Sequence, residues 1–182
     1  MSEHMTADDH AAATAPLVLV AYASKNGGTA EIAWWIGETL TAEGVDAQVR
    51  TAREVDDLSC YSAVVLGSGV YAGRWLREAV RFARRHRDPL RRVPVWLFSS
   101  GPLDPSAREG DLPAVPGAVK VGDLVDAREH RTFGGRLVPG ARGFMARMIL
   151  RQGRGGDYRD RERITAWARD LAREAVSSPR RL

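Results

Sequence analysis

Seven consecutive apolar residues, Leu17-Val18-Leu19-Val20-Ala21-Tyr22-Ala23, end abruptly in the polar, glycine-bearing stretch Ser24-Lys25-Asn26-Gly27-Gly28-Thr29. The run is too short for a helix buried on all sides. A strand covered on both faces is continuously apolar in this way, because helices pack against each side of a parallel sheet. Ile32, Trp35, Ile36 and Leu40 then recur at helical spacing up to Gly44, which predicts a helix over 29–43. Strand, tight polar turn and helix form the opening unit of a doubly wound sheet, and this unit constrains the rest of the chain.

The pattern repeats. Strands are predicted at 45–50, at Ala63-Val64-Val65-Leu66, at 93–98 and, interrupted by Gly134-Gly135, at 131–138. Leu76, Val80 and Ala83 mark a second helix, Phe144 to Leu150 another, and Ile164, Trp167, Ala168, Leu171 and Ala172 the last. Alternation of this kind predicts an α/β three-layer sandwich around a five-stranded parallel sheet of order 2-1-3-4-5. Residues 101–122 are rich in Gly, Pro and Asp and show no period, which suggests a mobile lid outside the core. In a chain of 182 residues this is one domain, 17–178, preceded by a disordered leader over 1–16 that lacks an apolar signal core.

Composition narrows the function classes. No apolar run approaches the ~18 residues needed to span a bilayer. The single cysteine, Cys60, makes neither an internal disulfide nor a cysteine-rich metal site, so a cytoplasmic protein is expected. The net charge is +4, but it is unevenly distributed. Eight arginines between Arg74 and Arg92 face two acids, and ten between Arg128 and Arg163 face four, so each block carries +6 and the remainder −8. Such basic faces attract phosphate, carboxylate or an anionic membrane surface. His86 and His130 stand apart from any other ligand type and read as plain surface residues.

In an open parallel sheet, ligands bind beyond the carboxyl ends of the strands, where the strand order reverses. Three loops meet that condition. Ser24 to Thr29 joins a buried strand to a helix N-terminus; its small donors, two glycines and Lys25 suit a phosphate. Ser68-Gly69-Val70-Tyr71 follows the third strand and offers close-approach glycine with an aromatic wall. Ser99-Ser100-Gly101 follows the fourth and offers backbone hydrogen bonds. Together the three suit flavin mononucleotide (FMN). A triphosphate loop of the G-x-x-x-x-G-K-[ST] type, a G-x-G-x-x-G dinucleotide turn and a G-x-S-x-G elbow all fail on specific residues.

Leu17–Glu31, with Ser24-Lys25-Asn26-Gly27-Gly28-Thr29, resembles the phosphate signature of the flavodoxins, Asn26 standing where that family usually has threonine. Ser24–Ile32, Val64–Gly73 and the tail from Phe144 through Gly155-Gly156-Asp157 to Trp167-Ala168 most resemble the menaquinone-dependent protoporphyrinogen IX dehydrogenase branch. The resemblance implies FMN held at Ser24, Asn26, Gly27, Gly28 and Thr29, with its ring between Ser68–Tyr71 and Ser99–Gly101. It also implies electron exchange between a small organic substrate and a quinone or other acceptor, without nucleic acid. A non-enzymatic electron carrier and a flavin-less interaction module are the competing readings. The segment 140–152 carries Phe144, Met145, Met148, Ile149 and Leu150 beside Arg142, Arg147 and Arg151. It can pack into the core, the default for so many apolar residues, or lie on an anionic membrane at the inner face of a cell.

Overall fold

The computed structural model describes residues 16–103 and 112–177; the expected leader and the centre of the expected lid lie outside the described residues. Strands β1 (Leu17–Ala23), β2 (Asp46–Thr51), β3 (Ala63–Tyr71), β5 (Val95–Ser100) and β6 (Glu129–Phe133) form a parallel sheet in the order β2-β1-β3-β5-β6. This is the expected 2-1-3-4-5 arrangement. A two-residue strand β4 (Arg74–Trp75) folds back antiparallel on the end of β3.

Alternate residues of each strand point to opposite faces, and the two faces gather two separate cores. Val18, Val20, Val65, Trp96 and Phe98 pack under α1 (Gly28–Ala42) and α6 (Arg161–Ser177), meeting Ile32, Ile36, Ile164 and Leu171. Leu19, Ala21, Val64, Leu66 and Leu97 pack under α2 (Arg77–Arg85), α3 (Arg87–Leu90) and α4 (Pro116–Val125), meeting Ala79, Phe82, Leu90, Val121 and Val125. The apolar character of β1 and β3 on both sides is therefore a direct consequence of the helices above and below.

Four expectations need correction. Residues 116–125 are helix α4, with Ala118, Val121 and Val125 buried, so this part of the expected lid belongs to the core. A parallel crossover from β5 to β6 needs such a covering element. The expected fifth strand, 131–138, is divided. β6 ends at Phe133, and Arg136–Leu137 (β7) pairs antiparallel with Gly156–Asp157 (β8) in a separate ribbon. The break falls at Gly135, where a Cβ would collide with the Gly101 carbonyl. Helix α5 (Phe144–Arg151) buries only Ala146 and is not a core helix. The histidines are not plain surface either. His86 is buried against Phe82 with a ring nitrogen 3.3 Å from the Val55 carbonyl, and His130 is half-buried beside Ser99.

Candidate functional site

At the carboxyl edge of β1, β3 and β5 the three polar loops converge on a cleft of about 330 Å³. Ser24, Lys25, Gly28 and Thr29 line it from the first loop, Gly69, Val70 and Tyr71 from the second, and Ser100 and Gly101 from the third. Nine of the residues singled out in the sequence thus share one wall system, as the switch-point rule requires.

The first loop is shaped for an anion. Gly27 adopts φ +82°, a conformation that favours glycine, and it starts α1 without a side-chain cap. Its own N–H donates to Ser24 Oγ at 3.1 Å. The first intrahelical bond from α1 is that of Glu31 to the Gly27 carbonyl, so the amides ahead of it open towards the cleft at the positive end of the helix. Lys25 Nζ stands 5.0 Å from the Tyr71 ring centre, at the cleft mouth. Close approach is built in at Gly69, where a Cβ would lie 3.0 Å from the Tyr71 ring and 3.1 Å from Thr29 Oγ1.

Four of the expected site residues do other work. Ser68 is buried; its hydroxyl accepts from the Leu76 N–H (2.9 Å) and donates to the Gly69 carbonyl (3.0 Å), fixing the turn after β3. Ser99 is buried and accepts from Trp75 Nε1 (2.7 Å), which leaves its own hydrogen for His130 Nε2 at 2.8 Å. Burial holds His130 below the ordinary histidine range, in keeping with a neutral acceptor. Asn26 reaches across the cleft mouth instead of into it. The Arg142 N–H donates to its Oδ1 (2.8 Å), and its Nδ2 donates to the Arg142 carbonyl (3.5 Å) and the Tyr71 hydroxyl (3.4 Å). Gly27 sits beneath the first loop as its conformational pivot. Burial pushes the Tyr71 phenol up, and the Asn26 bond works against that shift.

Apart from Leu103, which falls within the expected lid, the far wall was not anticipated. Leu103, Gly135, Arg136 and Leu137 line the cleft, and Met145, Ala146 and Ile149 of α5 roof it. The glycine pair 134–135 was the available signal, since a glycine inside a strand pattern marks close backbone approach. Behind this wall, the Arg159 side chain is 4% exposed and ties the site together. It bonds Asp157 through Nε (2.8 Å) and Nη2 (2.7 Å), and the Gly28 carbonyl (3.3 Å) and Glu31 (2.8 Å) through Nη1. It also lies over the Trp35 ring at 4.7 Å. Arg136 pairs with the same Glu31 carboxylate. The only acid in the first turn of α1 is thus paired with two arginines, so its charge does not stand uncompensated beside the first loop. The bond from Arg159 holds the Asp157 carboxyl below its ordinary range.

A second recess of about 490 Å³ adjoins the first and shares Val70, Gly101, Leu103 and Ile149 with it. Pro102, Leu112, Pro113, Val115, Thr132 and Arg154 complete its lining. Among the described residues no cluster of His, Cys, Asp and Glu is suited to hold a metal ion, and no helix is long and apolar enough to cross a membrane.

A parallel sheet of this order, with an uncapped helix N-terminus and two further loops closing on one cleft, places the chain in the open α/β class, whose ligands sit at the switch point of the sheet. The chain belongs to the flavodoxin domain family, whose model matches residues 19–160. Solved structures agree on the fold. A flavodoxin from the domain Archaea superposes with a TM-score of 0.62 at 14% identity, over 87% of this chain and 98% of that one. Flavodoxin 2 from Bacillus cereus gives 0.56 at 22% identity, over 86% and 98%. The rubredoxin:oxygen oxidoreductase of Desulfovibrio gigas gives 0.61 at 12% identity over 90% of this chain, which spans 37% of that longer protein. No curated protein matches the chain.

Proposed function

We propose that the protein is an FMN-dependent oxidoreductase that passes electrons between an organic substrate and a quinone or comparable acceptor. The residues present fit the cofactor. The open amides of α1, the Ser24 and Thr29 hydroxyls and Lys25 supply donors for a phosphate, and the glycine at position 69 leaves room where a side chain would fill the cradle. Val70, Tyr71, Ser100, Gly101 and Leu103 would flank the ring, under the roof of Met145 and Ile149. FMN, when bound, supplies the redox chemistry; the chain binds it, orients it and shields it from water.

The observation that carries the enzyme reading is the second recess. An electron carrier needs only an exposed flavin edge, whereas this chain keeps a mostly apolar space beside the cleft, large enough for a second organic molecule. The likeness of the tail to the protoporphyrinogen IX dehydrogenase branch supports the same reading and puts porphyrinogens among the substrates to try. The second reading, a non-enzymatic carrier, draws support from the family. The purified protein should be yellow, release a compound of FMN mass and, when reduced, be reoxidised by a quinone without a protein partner. A colourless protein that takes up no FMN overturns the cofactor assignment; bound FMN that exchanges electrons only with another protein favours the carrier.

A further inference from the structure

Helix α5 has two sides with different work to do. Ala146 is buried and, with Met145 and Ile149, closes the cleft. The other side is turned to solvent with large apolar groups on it: Phe144 is 74% exposed and Met148 36%, while Met145, at the rim of the cleft, is 50% exposed. Apolar groups gathered on one exposed face mark a contact surface, whereas scattered single ones are ordinary. Arg142, Arg147, Arg151 and Arg154 are exposed around them, and none has an ion pair among the described residues. From Pro139 to Gly156 there is no acidic residue. Glycines of positive φ at both ends, Gly140 and Gly143 before the helix and Gly153 after it, let the chain turn sharply on either side of it.

We propose that this face of α5 docks the protein on an anionic lipid surface, with Phe144 and Met148 inserted at the headgroup boundary and the arginines on lipid phosphates. Charge complementarity selects an acidic partner, and the size of the patch selects a bilayer. Three side chains fall far short of the roughly 800 Å² that each partner contributes to a specific protein interface. An interfacial helix needs only a few large apolar residues with cations beside them. Individual arginines near an anionic surface add to binding in a salt-dependent way, so the attachment is reversible. Docked in this way, the mouth of the cleft faces the membrane, and the roof residues Met145 and Ile149 separate lipid from cleft.

The test is co-sedimentation of the full chain with vesicles, which needs no flavin and so stands apart from the cofactor assignment. The protein should pellet with phosphatidylcholine–phosphatidylglycerol vesicles at low salt, be released at high salt, and stay in solution with phosphatidylcholine alone. The pair Phe144→Ser and Met148→Ser, and separately Arg147→Gln with Arg151→Gln, should each weaken binding by about tenfold or more. Arg81→Gln with Arg84→Gln, on the basic face of α2, should leave it unchanged. All three pairs lie on exposed surface or at its edge, and unchanged circular dichroism confirms that each is folded. No sedimentation at low salt, equal binding to neutral and anionic vesicles, or binding lost with the α2 pair and kept with the α5 pairs each overturns the proposal. So does selective capture of an acidic protein by a chain that ignores vesicles.

Discussion

At the residue scale, the site depends on a few atoms whose surroundings decide their role. Gly27 is the pivot of the anion loop, with open space where its side chain would be. Gly27→Asp should therefore fold, at a modest strain cost from its positive φ, yet place a carboxylate at the helix N-terminus where a phosphate would sit. FMN affinity should fall by about 100-fold or more, a loss of roughly 3 kcal/mol; an unchanged FMN titration would sink the phosphate assignment. Thr132 makes the converse case. It is 8% exposed, and its hydroxyl is the one buried side-chain oxygen or nitrogen among the described residues with no hydrogen bond. An isosteric Thr132→Val removes an unsatisfied group without opening a cavity and should raise stability by about 1 kcal/mol, read from the urea midpoint. The sequence located the residues of the first loop because glycines and small donors before a helix carry a local meaning. It did not reveal that Asn26 would bond Arg142, more than a hundred positions away, or that Ser68 and Ser99 would spend their hydroxyls inside the fold. Those roles depend on which long-range neighbour each side chain meets.

At the scale of elements, β1, β3, α1 and α6 were legible because they are buried on one or both sides and their patterns are strong. Helix α4 was not. Its sequence, Pro116-Gly117-Ala118-Val119-Lys120-Val121-Gly122-Asp123-Leu124-Val125, mixes two glycines with three valines, a composition of poor helix propensity. Burial of Ala118, Val121 and Val125 under the sheet overrides that preference. Helix α5 shows the other limit: periodicity identifies an apolar side but not what that side faces. The sheet itself contains a sharp test. A Cβ at Gly67 of β3 would lie within the ring of Phe98, which is hemmed in by Phe133 and Trp167. Gly67→Ala should destabilise the protein by about 1–3 kcal/mol through overpacking. A thermal midpoint equal to that of the unmodified chain would show that the aromatic cluster can shift.

For the whole molecule, the polarised charge and the buried histidines set the response to solution conditions. Burial lowers the proton affinity of both His130 and His86 in the folded state. The unfolded chain then binds more protons than the native one, so stability increases with pH across this window. The contribution is complete above about pH 6.5 and is lost on acidification towards the depressed folded values. Urea midpoints should fall between about pH 7 and pH 5, ahead of the carboxylate-linked loss at Asp157, which lies lower. A midpoint flat across that interval would show that neither histidine is held neutral.

The double neutralisation of Glu31 also fixes an order in time. The first loop precedes Arg136 and Arg159, which cancel the Glu31 carboxylate beside it across 105 and 128 positions. Until both have emerged, a nascent chain carries an uncompensated negative charge next to the anion loop. The favourable potential at the first loop therefore belongs to the folded whole and not to the segment that carries the loop.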